Sequence, residues 1–259
     1  MPVDISSLTK DDVARKMDYA ILNQAWPEER YLEGCENTRR YRFVAYHVLP
    51  SRVALVVREL GSFAREHSIE LGAPIAFPYG STPTEVKLAE AEHLIGLGAT
   101  ALDMVANIGW LKDRRYELYQ KECSEHIALC HAAGINGKVI IEVGHLSDEE
   151  IVAATKMVID AGADFVKTAT GTGPAGFPDF HQAQLILNTL RAAHGNGEFL
   201  AALDRAVAFC RWRPADIRSI LAAGAGVPEP RVPAGDALNL DLPAVPVRPL
   251  ADYAIGALS

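Results

Sequence analysis

Between about residues 16 and 192, short apolar runs alternate with longer stretches of helical spacing. The runs Met17–Leu22, Tyr41–Leu49, Ile69–Phe77, Ala101–Ile108, Lys138–Val143 and Phe165–Thr170 have strand length and few breakers, so each predicts a strand. Arg52–His67, Thr84–Leu97, Tyr116–Ala133 and Asp148–Ala161 lie between them and repeat apolar residues at helical intervals. Ser147-Asp148-Glu149-Glu150 predicts a capping box, a serine and a glutamate three positions on that satisfy each other's backbone N–H groups. Thr82-Pro83-Thr84-Glu85 predicts a second one, with proline in the first turn. Gly98-Ala99 and Gly162-Ala163 are placed to end helices just before strands.

Continuously apolar strands separated by helices predict a parallel sheet covered by helices. No Gly-x-Gly-x-x-Gly follows the first strand, so the dinucleotide-binding arrangement is not expected. Polar residues on otherwise apolar strands (Asp18, Asp103, Asn107, Lys138, Glu142, Lys167) favour an α/β chain folded as a TIM (β/α) barrel. That fold gathers chemistry at one mouth. A closed barrel has eight strands and six are legible, so the last two βα units are expected to be missing or replaced by a divergent C-terminal tail.

Composition sharpens that division. All eight lysines lie at or before Lys167, and six of the fifteen prolines crowd between Pro228 and Pro249. The expected organisation is a barrel of six βα units over residues 1–193 and a helical, Pro-rich tail over 194–259. The net charge of -8 argues against nucleic acid as the partner, because phosphate backbones need a basic surface. No apolar run reaches the roughly 18 residues of a membrane span, and the N-terminus lacks a signal-peptide layout. Cys35, Cys123, Cys130 and Cys210 form no CxxC pair, which disfavours disulfide frameworks and zinc ribbons and favours the cytoplasm. Cys123 and Cys130, seven apart, fit one packed helix face, and His93 fits a helix surface. His47, His126, His145 and His181 show no ligand spacing on one helix, so neither a metal nor a cofactor is expected.

Lys167 lies inside the apolar segment Asp164-Phe165-Val166-Lys167-Thr168. A buried ammonium must shed its charge or find a partner. Loss of charge would make it a Schiff-base nucleophile, whereas a partner such as Glu142 or Asp103 would make it a structural ion pair. Asp103 could relay protons or serve as a counter-ion. Lys138 shares strand parity with Glu142, so both are expected to face the barrel interior. There Lys138 would either depress the pKa of Lys167 or join an ion pair. The loop Gly171–Gly176 could offer backbone N–H groups to a phosphate, or be a plain βα turn.

The ordered segments Met17-Asp18, Phe77-Pro78-Tyr79-Gly80 with Thr84–Lys87, Leu102–Val105 with Asn107-Ile108-Gly109, Lys138–Glu142 and Ala161–Thr168 resemble the deoxyribose-phosphate aldolase family over roughly residues 13–190. The resemblance implies a class I aldolase without a cofactor. By that resemblance Lys167 would form the imine and Asp103 would relay protons. Lys138 is expected as a third catalytic residue from its strand position, and Asp18, Thr168 and Gly171 are the expected substrate-binding residues. The implied substrate is 2-deoxyribose 5-phosphate or a related aldehyde pair. The chain departs from the pattern in having no lysine after Lys167 and neither of the later phosphate-binding glycine segments. His47 stands where many members carry a cysteine, and Ala20 replaces a substrate-side threonine. A catalytically impaired truncated barrel and a diverged aldolase acting on a non-phosphorylated substrate therefore stay open. Six strands would also leave apolar sheet edges, which favour a homo-oligomer unless the tail covers them. The tail itself resembles the C-terminal ends of some insertion-sequence transposases.

Overall fold

In the computed structural model, the described residues are 9–173 and 176–193. Six strands form one wholly parallel sheet in sequential order: β1 (Asp18–Ile21), β2 (Ala45–Val48), β3 (Glu70–Ile75), β4 (Ala101–Val105), β5 (Asn136–Ile140) and β6 (Phe165–Lys167). Helices α1 (Lys10–Ala14), α2 (Glu28–Tyr41), α3 (Val53–Glu66), α4 (Thr84–Gly96), α5 (Ile108–Lys112), α6 (Tyr116–Ala132) and α7 (Asp148–Asp160) intervene, and α8 (residues 180–193) follows β6. Among the described residues this is six units of a (β/α) barrel, as the periodicity predicts. The expected tail, including its Leu238-Leu240-Leu242 alternation, lies outside the described residues, and so does the division at residue 193.

Strand alternation sorts the sheet into two faces. Tyr46, Val48, Leu71, Ala73, Ile75, Leu102, Met104 and Val139 point outward into the main core. They meet buried helical stripes such as Val53, Val56, Leu60 and Ala64 of α3, and Ile151, Ala154 and Val158 of α7. The inward face carries Asp18, His47, Asp103, Lys138 and Lys167.

Several boundaries differ from the sequence expectation, most of the apolar runs outlasting the strands by one to three residues. Tyr41, expected to open β2, instead closes α2, and Arg42 then turns left-handed at φ 53°. That helix is absent from the sequence reading because its buried positions are only Tyr31, Gly34, Cys35 and Thr38. Gly34 is needed there: a Cβ would lie 2.1 Å from Tyr46 Oη, whose hydroxyl donates to the Tyr31 carbonyl at 2.9 Å. The fifth strand runs over 136–140 rather than 138–143. Glu142 turns left-handed (φ 52°) and starts a 3₁₀ turn over Val143–His145.

The caps divide. Ser147 and Glu150 form the expected box, with Glu150 N donating to Ser147 Oγ and Ser147 N donating to Glu150 Oε2. The second expected box is absent: Pro83 is itself the N-cap of α4 and offers no side-chain acceptor. Gly98 (φ 96°) and Gly162 (φ 76°) do end α4 and α7 in left-handed turns.

Candidate active site

The interior of the half-barrel is filled by charge rather than hydrocarbon. Strand register places Asp103 of β4 level with Lys138 of β5, and Ile140 of β5 level with Lys167 of β6. Lys167 Nζ donates to Asp103 Oδ2 and lies 3.4 Å from Asp18 Oδ2. Asp18 belongs to β1, so the two outermost described strands meet through side chains across the interior. Lys138 Nζ sits 2.7 Å from Glu70 Oε2, 3.7 Å from Asp18 Oδ2 and 3.9 Å from Asp103 Oδ1. The Phe165 ring lies 5.4 Å from the same ammonium, within the range of a cation–π contact.

His47 of β2 completes the group. Its Nε2 is hydrogen-bonded to Asp103 Oδ1 at 3.1 Å. Its Nδ1 lies 2.6 Å from Asp18 Oδ1, off the line a hydrogen bond needs, so both of those buried atoms lack an aligned partner. Gly72 of β3, level with His47, makes room for the ring, because a Cβ there would sit 2.2 Å from Nε2. The result is a closed ring of four groups. Each aspartate gives one oxygen to His47 and the other to Lys167.

Burial ranks these groups. The side chains of Lys138, His47, Asp103 and Asp18 are 0–5% exposed, whereas Lys167 is 17% exposed. Lys167 is therefore the member of the ring that an incoming molecule reaches. Burial alone would lower its pKa, but the Asp103 and Asp18 carboxylates outweigh burial and hold it above the ordinary lysine range. Of the two alternatives left open by the sequence, the structure shows the ion pair, with Asp103 and not Glu142 as the partner of Lys167. Lys138 is likewise shifted up by Asp103, Asp18 and Glu70 against its burial. Burial would raise the pKa values of Asp18 and Asp103, but His47, Lys167 and Lys138 overcome it and push both well down. His47 is pushed up, since the two carboxylates exceed the cost of burying its charge.

Of the residues singled out in the sequence, Asp18, Asp103, Lys138 and Lys167 converge. Glu142 does not join Lys138. It lies beyond the strand, where its Oε2 accepts from Thr170 N at 3.0 Å. Thr168 follows β6 and uses its carbonyl to accept from Val143 N at 2.9 Å. Gly171 turns left-handed at φ 81° further along the same loop. His47 and Glu70 carry no role in the sequence reading, although both lie on an inward strand parity that could have flagged them. Ligand-type atoms of Asp18, His47 and Asp103 fall within 4.8 Å of one another. Spacing on a single helix cannot reveal such a group, because it comes from three strands. The cations held against these carboxylates are Lys167 and Lys138.

A second buried pair braces the chain leaving β4. Lys87 of α4 and Glu122 of α6 are both fully buried, with Nζ 2.8 Å from Oε1. Lys87 also donates to the Val105 carbonyl at 2.8 Å, and Glu122 accepts from Asn107 N at 2.9 Å. Both anchors are at the end of β4, two and four residues after Asp103. The pair fixes the chain leaving the strand that carries that carboxylate.

Comparison with known proteins matches residues 58–212 to the DeoC/LacD family aldolase model, which continues past residue 193. The chain is 40% identical over 169 residues to the deoxyribose-phosphate aldolase of Thermococcus kodakarensis, spanning 65% of this chain and 75% of that one. Among solved structures, the aldolase QR15 superposes with a TM-score of 0.63 at 31% identity, covering 70% of this chain and 77% of the other. The tetrameric deoxyribose phosphate aldolase of Aeropyrum pernix shares the fold at a TM-score of 0.61 and 24% identity, over 84% of this chain and 93% of that one.

Proposed function

Because the chain belongs to the DeoC/LacD family of aldolases, we propose that it is a class I aldolase whose Lys167 forms a Schiff base for reversible cleavage of 2-deoxyribose 5-phosphate or a related aldehyde pair. The observation that carries this reading is the lysine–carboxylate contact at the end of β6: a partly exposed ammonium hydrogen-bonded to an almost fully buried Asp103. An ammonium is not nucleophilic, so the first requirement is a proton acceptor within bonding distance, and Asp103 Oδ2 is that acceptor.

The proton passes from Lys167 Nζ to Asp103 Oδ2, leaving a neutral amine and a neutral acid. The amine attacks the aldehyde carbonyl, and the carbonyl oxygen takes the proton from Asp103. Loss of water from the carbinolamine gives the imine. For cleavage, the protonated imine accepts the electron pair of the breaking carbon–carbon bond, and the Asp103 carboxylate takes the hydroxyl proton of the departing aldehyde. Reprotonation of the enamine carbon and hydrolysis return Lys167 and release the second aldehyde. Lys138 stays charged throughout. It holds Asp18 and Asp103 in place and is shielded from substrate by its complete burial. Thr168 and Gly171 follow Lys167 beyond the end of β6 and are the proposed substrate contacts, while Asp18, almost fully buried, acts from behind Lys167.

Three described cysteines, Cys35, Cys123 and Cys130, are buried free thiols, which suits a reducing, cytoplasmic setting. No helix among the described residues is long and apolar enough to cross a membrane. Self-association is proposed on the open strand edges of the described sheet, with the tail over 194–259 as the competing cover; size-exclusion chromatography distinguishes the two.

The test is reductive trapping. With acetaldehyde and borohydride the protein should gain one adduct, mapped to Lys167 and absent from a Lys167→Ala variant. No labelling above that control removes the reading. Cleavage of deoxyribose 5-phosphate, measured beside its non-phosphorylated counterpart, then fixes the substrate.

A further inference from the structure

The ring of four groups contains one residue that the Schiff-base reading leaves without a task. His47 is 1% exposed, cannot touch a substrate at Lys167 directly, and shares both aspartates with that lysine. We propose that His47 is a positioning residue of the imine site, an imidazolium that orients the Asp103 carboxylate and balances Asp18 when Lys167 gives up its proton.

Geometry and charge support this together. Asp103 Oδ1 is tied to His47 Nε2 at 3.1 Å, which leaves Oδ2 aimed at Lys167. Without the ring, the carboxylate could rotate about its last bond and present either oxygen elsewhere. The groups that face His47 are Asp18 from β1, Asp103 from β4 and Lys138 from β5. Lys167 from β6 lies on the far side of the two aspartates, and Glu70 from β3 joins through Lys138. Three carboxylates and two ammonium groups leave one negative charge unbalanced in a buried space. A protonated His47 cancels it. Moving the proton from Lys167 to Asp103 leaves the net charge of the cluster unchanged, but it takes the Lys167 cation away from Asp18. The imidazolium is the cation that still faces Asp18 beside Lys138. The pocket for this ring is built: Gly72 supplies no side chain where a Cβ would collide with Nε2. At the other end of the ring Nδ1 lies 2.6 Å from Asp18 Oδ1, so an imidazolium there faces a second carboxylate.

This inference rests on Lys167 being the imine former, and the test separates the two. Acetaldehyde trapping rates are measured from pH 5 to 9 for the wild-type chain and for His47→Gln, which keeps polar atoms but cannot be charged. Removing the positive charge makes Lys167 hold its proton more firmly. The rising limb of the profile should therefore move up by about one unit, with about a tenfold loss of rate at pH 7. A role in packing alone would lower the melting temperature and leave the profile in place, and that result overturns the inference while the Schiff-base reading stands. Absence of trapping at Lys167 in the wild-type chain overturns both. If His47→Gln does not fold, a chain that keeps His47 still decides. In a His181→Gln background, which removes the exposed histidine held up by Asp148, the ¹⁵N shifts of the labelled imidazoles should still show one histidine charged at pH 8, and a spectrum with every imidazole neutral there overturns the proposal.

Discussion

Gly72 and His47 sit level on neighbouring strands, and a Cβ on the glycine would lie 2.2 Å from the imidazole Nε2. The strand position tolerates alanine in backbone terms; the collision is with the side chain across the ladder. Gly72→Ala should cost about 1–3 kcal/mol from overpacking. The double variant Gly72→Ala/His47→Ala should recover part of that loss, because the two sites couple through one shared volume. Urea unfolding of the four proteins in the cycle measures the coupling, and simple additivity would place the strain elsewhere.

Asp103→Asn keeps the shape of the carboxylate and removes its ability to take a proton. Loss of general acid–base help should slow trapping and cleavage about 10²–10⁴-fold. The expected companion effect is a less stable protein, since Lys138, Lys167 and His47 would then share one fewer anion. Single-turnover cleavage and a melting curve read the two effects separately.

Two buried histidines should bend the stability profile in opposite directions. His126 is pushed down to about 4 by burial, so it is neutral in the fold but accepts a proton in the unfolded chain below pH 6.5. Its contribution is intact above pH 6.5 and falls by about 3 kcal/mol as the pH drops from there towards 4. His47 is pushed up, so its contribution is intact below pH 6.5 and declines as the pH rises through its raised value. Stability against urea should thus fall on both flanks. His126→Gln should flatten the acid side and His47→Gln the alkaline side.

Lys87 and Glu122 test the brace at the end of β4. Burial pushes the lysine down and the glutamate up, and each is restored in part by the other. Truncating one, as in Glu122→Ala, should cost about 3–5 kcal/mol by leaving an uncompensated buried cation. Replacing both with hydrocarbon, as in Lys87→Met/Glu122→Leu, should be close to neutral for the pair itself, less the bonds lost at Val105 and Asn107. Comparing the denaturant midpoints decides whether the pair serves stability or the setting of the β4 end.

The six-unit order was legible because apolar periodicity and turn chemistry are local properties; the family was legible only through the resemblance of ordered segments such as Lys138–Glu142 and Ala161–Thr168. Ser147 with Glu150, and the glycines at 98 and 162, act through neighbours within a few residues, so the chain announces them. Pro83 misled because threonine beside proline resembles a cap box until the backbone shows which residue holds the boundary. Helix α2 was hidden by its narrow buried stripe, most of its surface being polar and solvated.

The sequence by itself determined that Asp18, Asp103, Lys138 and Lys167 stand on strands otherwise built for burial, which forces them to find partners. Only the tertiary structure decided who those partners are. A parallel sheet curls Asp18 and Lys167, 149 residues apart in the chain, across one interior, and it inserts His47 over Gly72 between the two aspartates. Ion pairing depends on distances of a few ångströms between residues on different strands, and no periodicity along a single strand encodes them. The same geometry chose between the two alternatives left open for Lys167, loss of charge or an ion pair with Asp103, in favour of the pair. Burial by itself lowers the pKa of Lys167, and the two carboxylates within reach outweigh it.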